Sequence, residues 1–141
     1  KMQIILDSQN RSVVKTERGE DALVILKTMA KEKDASFSFA MIGACSFVEL
    51  GYYDFEKREY FSKEFREENM EIVSVNGNVA WNENEPIVHA HGVFSNEKYK
   101  CFGGHISRLT ISITGEVVID WLPEKIMKRY DKETGLKLLA K

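Results

Sequence analysis

The three histidines of this chain, His89, His91 and His105, lie within 17 residues of one another. His89 and His91 are two apart in a predicted strand, so both side chains leave the same face of a sheet. A turn over 95–98 would return the chain as a second strand. A turn centred on residue 97 pairs position 105 with 89, and one centred on residue 98 pairs it with 91. Both registers place His105 on the face of the other two, because the offset is even.

Three imidazoles that face one point could bind a metal ion. Opposed side chains on paired strands are about 5 Å apart at Cβ, and neutral imidazoles suit zinc or another borderline divalent ion. Three protein ligands leave one position for water or a small-molecule substrate. Gly103-Gly104 would let the backbone come close to the site, whereas Ala90 and Gly92 keep the opposite face small. The alternative is three unrelated histidines, each hydrogen-bonded within a sheet.

Other candidate chemistry is weaker. The carboxylates that could orient the imidazole rings are Glu49, Glu116 and Asp120. The only cysteines, Cys45 and Cys101, are too few for a disulfide framework. We predict that both are buried thiols in a reducing, cytoplasmic protein. No apolar run approaches the length of a membrane span.

Two clusters could contact nucleic acid or simply pack. Aromatic residues around a predicted hairpin turn could stack on bases, although core or interface packing is their commoner role; they are Tyr52, Tyr53, Phe55, Tyr60 and Phe61. Basic residues are enriched over 125–141 but are diluted by acidic ones, which predicts a solvated tail rather than a DNA-contacting patch.

The element that precedes the strands is a helix. Gly19-Glu20-Asp21 opens it, because acidic residues suit the first turn of a helix. Apolar residues recur at helical spacing over 22–30, and Lys31–Asp34 ends the helix in solvent. The unbroken apolar run Ala22–Leu26 predicts burial on more than one side.

Strands and hairpin turns account for most of the remaining chain. Gly43-Ala44 should interrupt one strand, Asn76-Gly77-Asn78 should end another in a turn, and Gly115 is a candidate bulge. The predicted strands cover residues 12–16, 37–42, 46–53, 60–65, 71–75, 87–94, 100–106 and 110–121. In the last of these, one face should carry Ile111, Ile113, Val117, Ile119 and Trp121. Few helices and many hairpins predict an α+β protein with a mainly antiparallel sheet.

Composition limits the classes of function. The chain has 141 residues, enough for one domain over 1–141. Its 43% apolar and 30% charged residues exclude a disordered chain. The formal charge of −2 argues against a surface that attracts nucleic acid all over.

The chain resembles the PPC (plants and prokaryotes conserved) domain family in its stand-alone prokaryotic form. No single motif is decisive, but their order and spacing span nearly the whole chain. The matching motifs are Gly19-Glu20-Asp21, Ile42-Gly43-Ala44, Leu50-Gly51-Tyr52-Tyr53-Asp54, Glu71-Ile72-Val73-Ser74 with Gly77-Asn78, His89-Ala90-His91, Gly103-Gly104-His105 and Thr134-Gly135-Leu136.

This resemblance implies a PPC-like α+β domain with one main N-terminal helix and a short packed C-terminal segment. It also implies a homotrimer in which His89, His91 and His105 bind a metal. Plant members join the domain to AT-hook motifs and bind DNA in the nucleus. This chain has no Arg-Gly-Arg-Pro hook.

Three functions therefore follow as hypotheses. The first is a cytoplasmic, homotrimeric protein that binds a divalent metal, and zinc is the metal that we expect because three imidazoles suit it. The second is a DNA-binding, transcription-associated regulator, by family association. The third is a zinc-dependent enzyme that acts on a small molecule through metal-activated water.

Overall fold

The computed structural model describes residues 1–141 as one helix and eight strands. The helix, α1, spans Ala22–Lys33 between the second and third strands. The strands are β1 (Gln3–Asp7), β2 (Arg11–Glu17), β3 (Phe37–Asp54), β4 (Glu59–Asn82), β5 (Glu85–Ser95), β6 (Cys101–Trp121), β7 (Met127–Tyr130) and β8 (Lys137–Ala140). The predicted α+β class, with a mainly antiparallel sheet and one N-terminal helix, is confirmed. No helix has both the length and the apolar character needed to cross a membrane.

Four long strands close into a ring. β3 pairs with β4 and β6, and β5 also pairs with β4 and β6. The sheet then extends from β6 through β2 to β1, and from β4 through β7 to β8. All of these pairs are antiparallel except β4 with β7. A core of 24 buried apolar residues holds the ring and α1 together. Removing these apolar side chains from water stabilises the packing of the elements that carry them.

The helix begins and ends with polar side chains and backbone geometry that suit its termini. Asp21 is the N-cap, and its Oδ1 accepts hydrogen bonds from the backbone N–H groups of Leu23 and Val24 at 2.9 and 3.2 Å. Asp34 adopts the left-handed conformation at the C-cap. The prediction that the helix is buried on more than one side is wrong, because Val24 is 62% exposed.

Two predicted strand breaks are absent. Gly43-Ala44 lies inside β3, where the register with β4 and β6 shifts. Asn76-Gly77-Asn78 lies inside β4 rather than in a turn. A Cβ atom on Gly77 would lie 1.9 Å from the carbonyl oxygen of His89. This glycine therefore permits close approach of β5 to β4. The predicted turn is wrong, because the glycine is required for this close approach and not for a reversal of the chain.

The strand β6 is longer and less regular than predicted. It joins the two segments predicted over 100–106 and 110–121. Gly43 and Cys45 of β3 pair with Gly115 and Ile111, so extra residues of β6 lie directly before Gly115. This irregularity turns Ile113 outward, where it is 62% exposed. Its predicted place on the buried face is wrong, because strict alternation does not survive a register shift.

The cysteines differ from each other. Cys45 is buried, as predicted, and burial raises the pKa of its thiol to about 12. Cys101 is exposed, at the start of β6, so the prediction of a buried thiol is wrong there.

The C-terminal segment packs on the sheet as a two-stranded ribbon. The side-chain amide of Asn82 donates a hydrogen bond to the carbonyl of Lys128 at 2.9 Å, and the Tyr53 hydroxyl donates one to the carbonyl of Thr134. Lys128 is only 6% exposed. The expected packed segment is confirmed. The prediction of solvated basic residues over 125–141 holds for all of them except Lys128.

Candidate metal centre

The β5–β6 hairpin brings the three histidines together. His91 pairs with His105, which is the register centred on residue 98. The Nε2 atoms of His89 and His91 are 3.2 Å apart. One ring nitrogen from each of the three histidines lies within 4.8 Å of the other two. The predicted convergence of the three side chains is therefore present in the fold.

Glycines and one tyrosine shape the backbone and the ring positions around this cluster. A Cβ atom on Gly103 would lie 2.4 Å from the carbonyl oxygen of Gly92, so the glycine allows β5 and β6 to approach closely. The ring centroid of Tyr60 lies 4.7 Å from that of His105. Tyr60 thereby limits the movement of one imidazole from the β4 side.

Burial keeps two of the imidazoles neutral. It lowers the pKa of His89 to about 4, and the nearby charge of Lys128 acts in the same direction. Burial also lowers the pKa of His105, with smaller effects from His91 and Lys128. A neutral imidazole offers a nitrogen lone pair, and a metal ligand must be in that form. The electrostatics therefore favour the ligand form at neutral pH.

The donor set also fits a borderline divalent ion. The Nδ1 atom of His105 is buried and has no hydrogen-bond partner in the protein. Buried polar atoms without partners are uncommon and require a physical explanation. A cation bound among the three imidazoles would accept nitrogen lone pairs for which the protein offers no partner.

None of the three carboxylates predicted as ring-orienting partners hydrogen-bonds to a histidine. Glu49 accepts a hydrogen bond from the Ser107 hydroxyl at 2.6 Å. Asp120 forms an ion pair with Arg11 at 2.7 Å. Glu116 lies beside the exposed apolar residues of β3 and β6. The interpretation of these residues as partners of the imidazoles is not supported by their positions.

A cleft beside the cluster contains groups that the sequence did not single out. We call it the histidine cleft, and its volume is about 530 Å³. Apolar residues of β5 and the C-terminal segment line it together with Tyr60, Asn78, His89, His105, Lys128 and Lys137. Lys128 was one basic residue among several over 125–141, so its burial left no sequence signal. Asn78 was concealed within the motif that predicted a turn.

The aromatic hairpin divides into exposed and site-facing residues. Tyr52 is 72% exposed, and Phe55 and Phe61 are also exposed. Tyr60 instead stacks near Tyr53 and His105, and burial raises the pKa of its hydroxyl. Only this last residue is part of the histidine cleft.

Solved structures share this fold over nearly the full chain. A protein from Bacteroides thetaiotaomicron that is labelled as DNA-binding has a TM-score of 0.93 and 25% identity, and the match covers 99% of this chain and 96% of that one. A metal-containing protein from Archaeoglobus fulgidus has a TM-score of 0.85 and 26% identity, covering 99% of each chain. A plant- and prokaryote-conserved (PPC) protein from Pyrococcus horikoshii has a TM-score of 0.85 and 26% identity, covering 100% of this chain and 95% of that one.

More distant similarity extends to an enzyme fold. Acetolactate decarboxylase from Bacillus subtilis has a TM-score of 0.57 and 13% identity, and the match covers 79% of this chain but 53% of that one. At this identity the likeness shows shared architecture alone. A comparison with curated proteins finds no match.

The family itself is identified from the sequence. The profile of the Plants and Prokaryotes Conserved (PCC) domain matches residues 6–123, which include the helix, the four strands of the ring and all three histidines. Together with the similarity to the Pyrococcus PPC protein, this match shows that the chain belongs to the plants-and-prokaryotes-conserved domain family.

Proposed function

We propose that this protein is a single-domain, homotrimeric metal-binding protein in which His89, His91 and His105 hold one divalent ion, zinc. The observation that carries the proposal is the convergence of three ring nitrogens within 4.8 Å. A divalent ion would supply Lewis acidity at this cleft when bound. The protein's own residues hold neutral nitrogens in place and line the adjoining space.

The choice of zinc follows from donor chemistry. Imidazole nitrogens suit zinc and related transition metals, whereas magnesium and calcium prefer oxygen. The similarity to the metal-containing Archaeoglobus protein supports a metal in this fold. The neutral state that burial imposes on His89 supports it independently.

Metal analysis of protein purified without a nickel resin tests the proposal. We expect about one equivalent of zinc per chain, and its loss from His89→Ala. A matched control is Glu68→Gln, which changes an exposed carboxylate in a separate cleft. Less than about a third of an equivalent in the starting protein, unchanged by His89→Ala, would overturn the metal assignment.

The trimer is supported by apolar side chains that the single chain leaves uncovered. Ile42, Val73 and Ile113 are 57, 48 and 62% exposed and line one shallow depression on the outer face of β3, β4 and β6. Contiguous exposed apolar residues of this kind mark protein interfaces. A second and third copy of the chain are the occupants that we propose.

Light scattering on the purified protein measures the assembly directly. Three chains of 16.2 kDa give a mass of about 49 kDa. Ile113→Lys should lower this mass, because an ammonium group in an apolar interface lacks a partner. Val24→Lys is the matched control, since Val24 has the same 62% exposure but lies on α1. A wild-type mass of one chain would overturn the trimer.

DNA binding is the second candidate, because the Bacteroides protein and a Ralstonia eutropha protein with 27% identity both carry that label. A trimer would have a formal charge of about −6, so binding would require basic residues concentrated on one face. If DNA binds, affinity should fall steeply with salt, because phosphate neutralisation releases counterions. The absence of any salt-dependent gel shift at low ionic strength would remove this candidate.

A further inference from the structure

Lys128 is buried without a partner for its charge. It is 6% exposed, yet no carboxylate lies within 4 Å of its Nζ and no hydrogen bond from that atom is formed. Eight of the nine ion pairs in the protein use side chains at least one third exposed on both sides. The Nζ atom is not among the fully buried polar atoms that lack a partner, so it keeps contact with solvent in the cleft. Partial loss of hydration around an unpaired ammonium group is still unfavourable. An anion from outside the chain would remove that cost.

The position of Lys128 says where such an anion would lie. Lys128 lines the histidine cleft together with His89 and His105. Its backbone is fixed by pairing of β7 with β8 and by the hydrogen bond from Asn82. The ammonium group is therefore held beside the imidazole cluster by ordered secondary structure.

Asn78 adds a second unsatisfied group to the same cleft. Its Oδ1 atom is buried and has no hydrogen-bond partner, and its residue lines the cleft next to His89, with which it pairs across β4 and β5. An amide oxygen accepts hydrogen bonds, so this atom requires a donor, such as a hydroxyl group on the chain of a bound molecule. Two independent polar groups of the cleft thus lack partners within the protein.

The remaining walls are apolar and limit the kind of anion. Ile87, Val88 and Leu136 are half-buried, and Leu138 and Leu139 lie at the more open side. Phosphate sites usually combine several backbone N–H groups or arginines, and no arginine lines this cleft. Its two lysines differ, because Lys128 is buried and Lys137 is exposed at the open side. One buried lysine with aliphatic walls matches a single carboxylate that has a short aliphatic chain.

We propose that the histidine cleft binds a small aliphatic carboxylate, with Lys128 pairing with the carboxylate and the leucines of the C-terminal segment contacting its chain. The inference deepens the proposed metal site and rests on it for the ion that lies beside this ligand. The volume of the histidine cleft, about 530 Å³, is within the range of small-molecule sites. Lys128 is then the residue that binds the carboxylate, and Asn78 would accept a hydrogen bond from a hydroxyl group elsewhere on such a ligand. Both are separate from the three metal-ligand candidates.

Ligand-observed NMR with hexanoate on the zinc-loaded protein tests this inference. We expect saturable binding of hexanoate and weaker binding of hexanamide, which has the same chain without the charge. Lys128→Met should weaken hexanoate binding by about tenfold or more, the effect of losing one charge-assisted hydrogen bond. Its effect on hexanamide should be small. Lys98→Met removes the same charge from the exposed β5–β6 turn and should leave hexanoate binding unchanged.

Each outcome decides between identifiable alternatives. Binding of hexanoate that is insensitive to Lys128→Met, or no binding to the zinc-loaded protein, overturns the carboxylate site. Stronger binding of inorganic phosphate than of hexanoate overturns the ligand class. Zinc content measured on the same samples reports on the metal proposal separately, and a normal unfolding midpoint of Lys128→Met excludes misfolding. If the protein holds no zinc, Lys128-dependent binding of hexanoate to the metal-free chain still supports the carboxylate site.

Discussion

The histidine cleft and a second cleft on the same molecule are similar in volume, about 530 and 570 Å³, but differ in what lines them. The second, which we call the acidic cleft, is lined by Glu67, Glu68, Glu71 and Glu97 together with Arg18 and other polar residues. All four carboxylates are exposed. The histidine cleft contains fewer charges, but Asn78, His89 and His105 are half-buried and Lys128 is buried.

This contrast teaches that burial, rather than the number of charges, distinguishes a site from a solvated surface. Exposed carboxylates interact only weakly with one another because water and salt screen their charges. A buried ammonium group or imidazole is sensitive to any partner that enters. The acidic cleft has more charged side chains, whereas the histidine cleft has the buried and half-buried groups that a ligand would affect most.

The largest expected difference between the clefts is in zinc affinity. His105→Ala should weaken zinc binding by more than about a hundredfold, because even the loss of partners that orient a ligand costs 10–100-fold. Glu97→Gln in the acidic cleft should change the affinity by less than about twofold. Competition with a fluorescent zinc indicator measures both. A larger loss in Glu97→Gln than in His105→Ala would reverse the assignment of the metal site.

The choice of metal gives the next largest difference. Zinc at a hundred times its dissociation constant should raise the free energy of unfolding by about 2.7 kcal/mol. Calcium at the same concentration should leave it unchanged, because calcium prefers oxygen ligands and the three converging side chains offer nitrogen. Urea unfolding with each metal measures the effect. Stabilisation by calcium alone would point to the acidic cleft.

The pH dependence of the metal-free protein separates the clefts in another way. The pKa of His89 is about 4 in the folded chain, against 6.5 for an unperturbed histidine. Between these values the unfolded chain binds more protons. The free energy of unfolding should therefore rise from pH 4 to 6.5 and stop changing above this range. Urea midpoints at several pH values measure this trend.

His89→Gln is the variant that tests the source of this dependence. It should weaken the trend between pH 4 and 6.5 and leave the part that His105 contributes, because burial lowers the pKa of His105 too. Glu97→Gln in the acidic cleft should not change the trend. Glu85, whose pKa is lowered by Lys27 and Lys31, contributes only as pH falls below its ordinary value of 4.5. An unchanged trend in His89→Gln would show that other groups cause it.

A smaller effect concerns the unpaired cation of the histidine cleft. Lys128→Met should stabilise the metal-free, ligand-free protein by about 1 kcal/mol, because it replaces a buried unpaired charge with an apolar side chain. Lys98→Met at an exposed position should stay within about 0.5 kcal/mol of wild type. Chemical denaturation compares the three proteins. Destabilisation by Lys128→Met would mean that the ammonium group has a favourable partner.

The smallest effect belongs to the acidic cleft. Glu68→Gln relieves repulsion among exposed carboxylates and should stabilise the protein by a few tenths of a kcal/mol at low salt. At 1 M salt, where the Debye length is about 3 Å, this gain should disappear. The same denaturation experiment at two salt concentrations detects it. A gain as large as that from Lys128→Met would contradict the role assigned to burial.

The histidine cluster could be predicted from the sequence because it depends on local geometry. His89 and His91 share a face through the two-residue period of a strand, and a hairpin adds His105 at an even offset. The α+β class followed from the spacing of apolar residues and turns. Neither prediction requires knowledge of contacts between distant parts of the chain.

The remaining features of the site depend on long-range packing and could not be predicted in the same way. Asn78 lies near His89 only because β4 continues through a motif that resembles a turn. Lys128 is buried because β7 pairs with β4 and β8. The outward rotation of Ile113 follows from a register shift between β3 and β6. None of these three positions can be predicted from the residues that lie near it in the sequence.

The closed ring of β3, β4, β5 and β6 also has a kinetic consequence. The β3–β6 pairing joins Phe37 to Trp121, so the ring closes only when chain segments far apart in sequence meet. Chains dominated by such contacts fold slowly, since loop-closure entropy is lost before the contacts form. The β5–β6 hairpin joins His91 to His105 over a short loop. The local geometry that gathers imidazoles can therefore arise early, well before the barrier to ring closure is crossed.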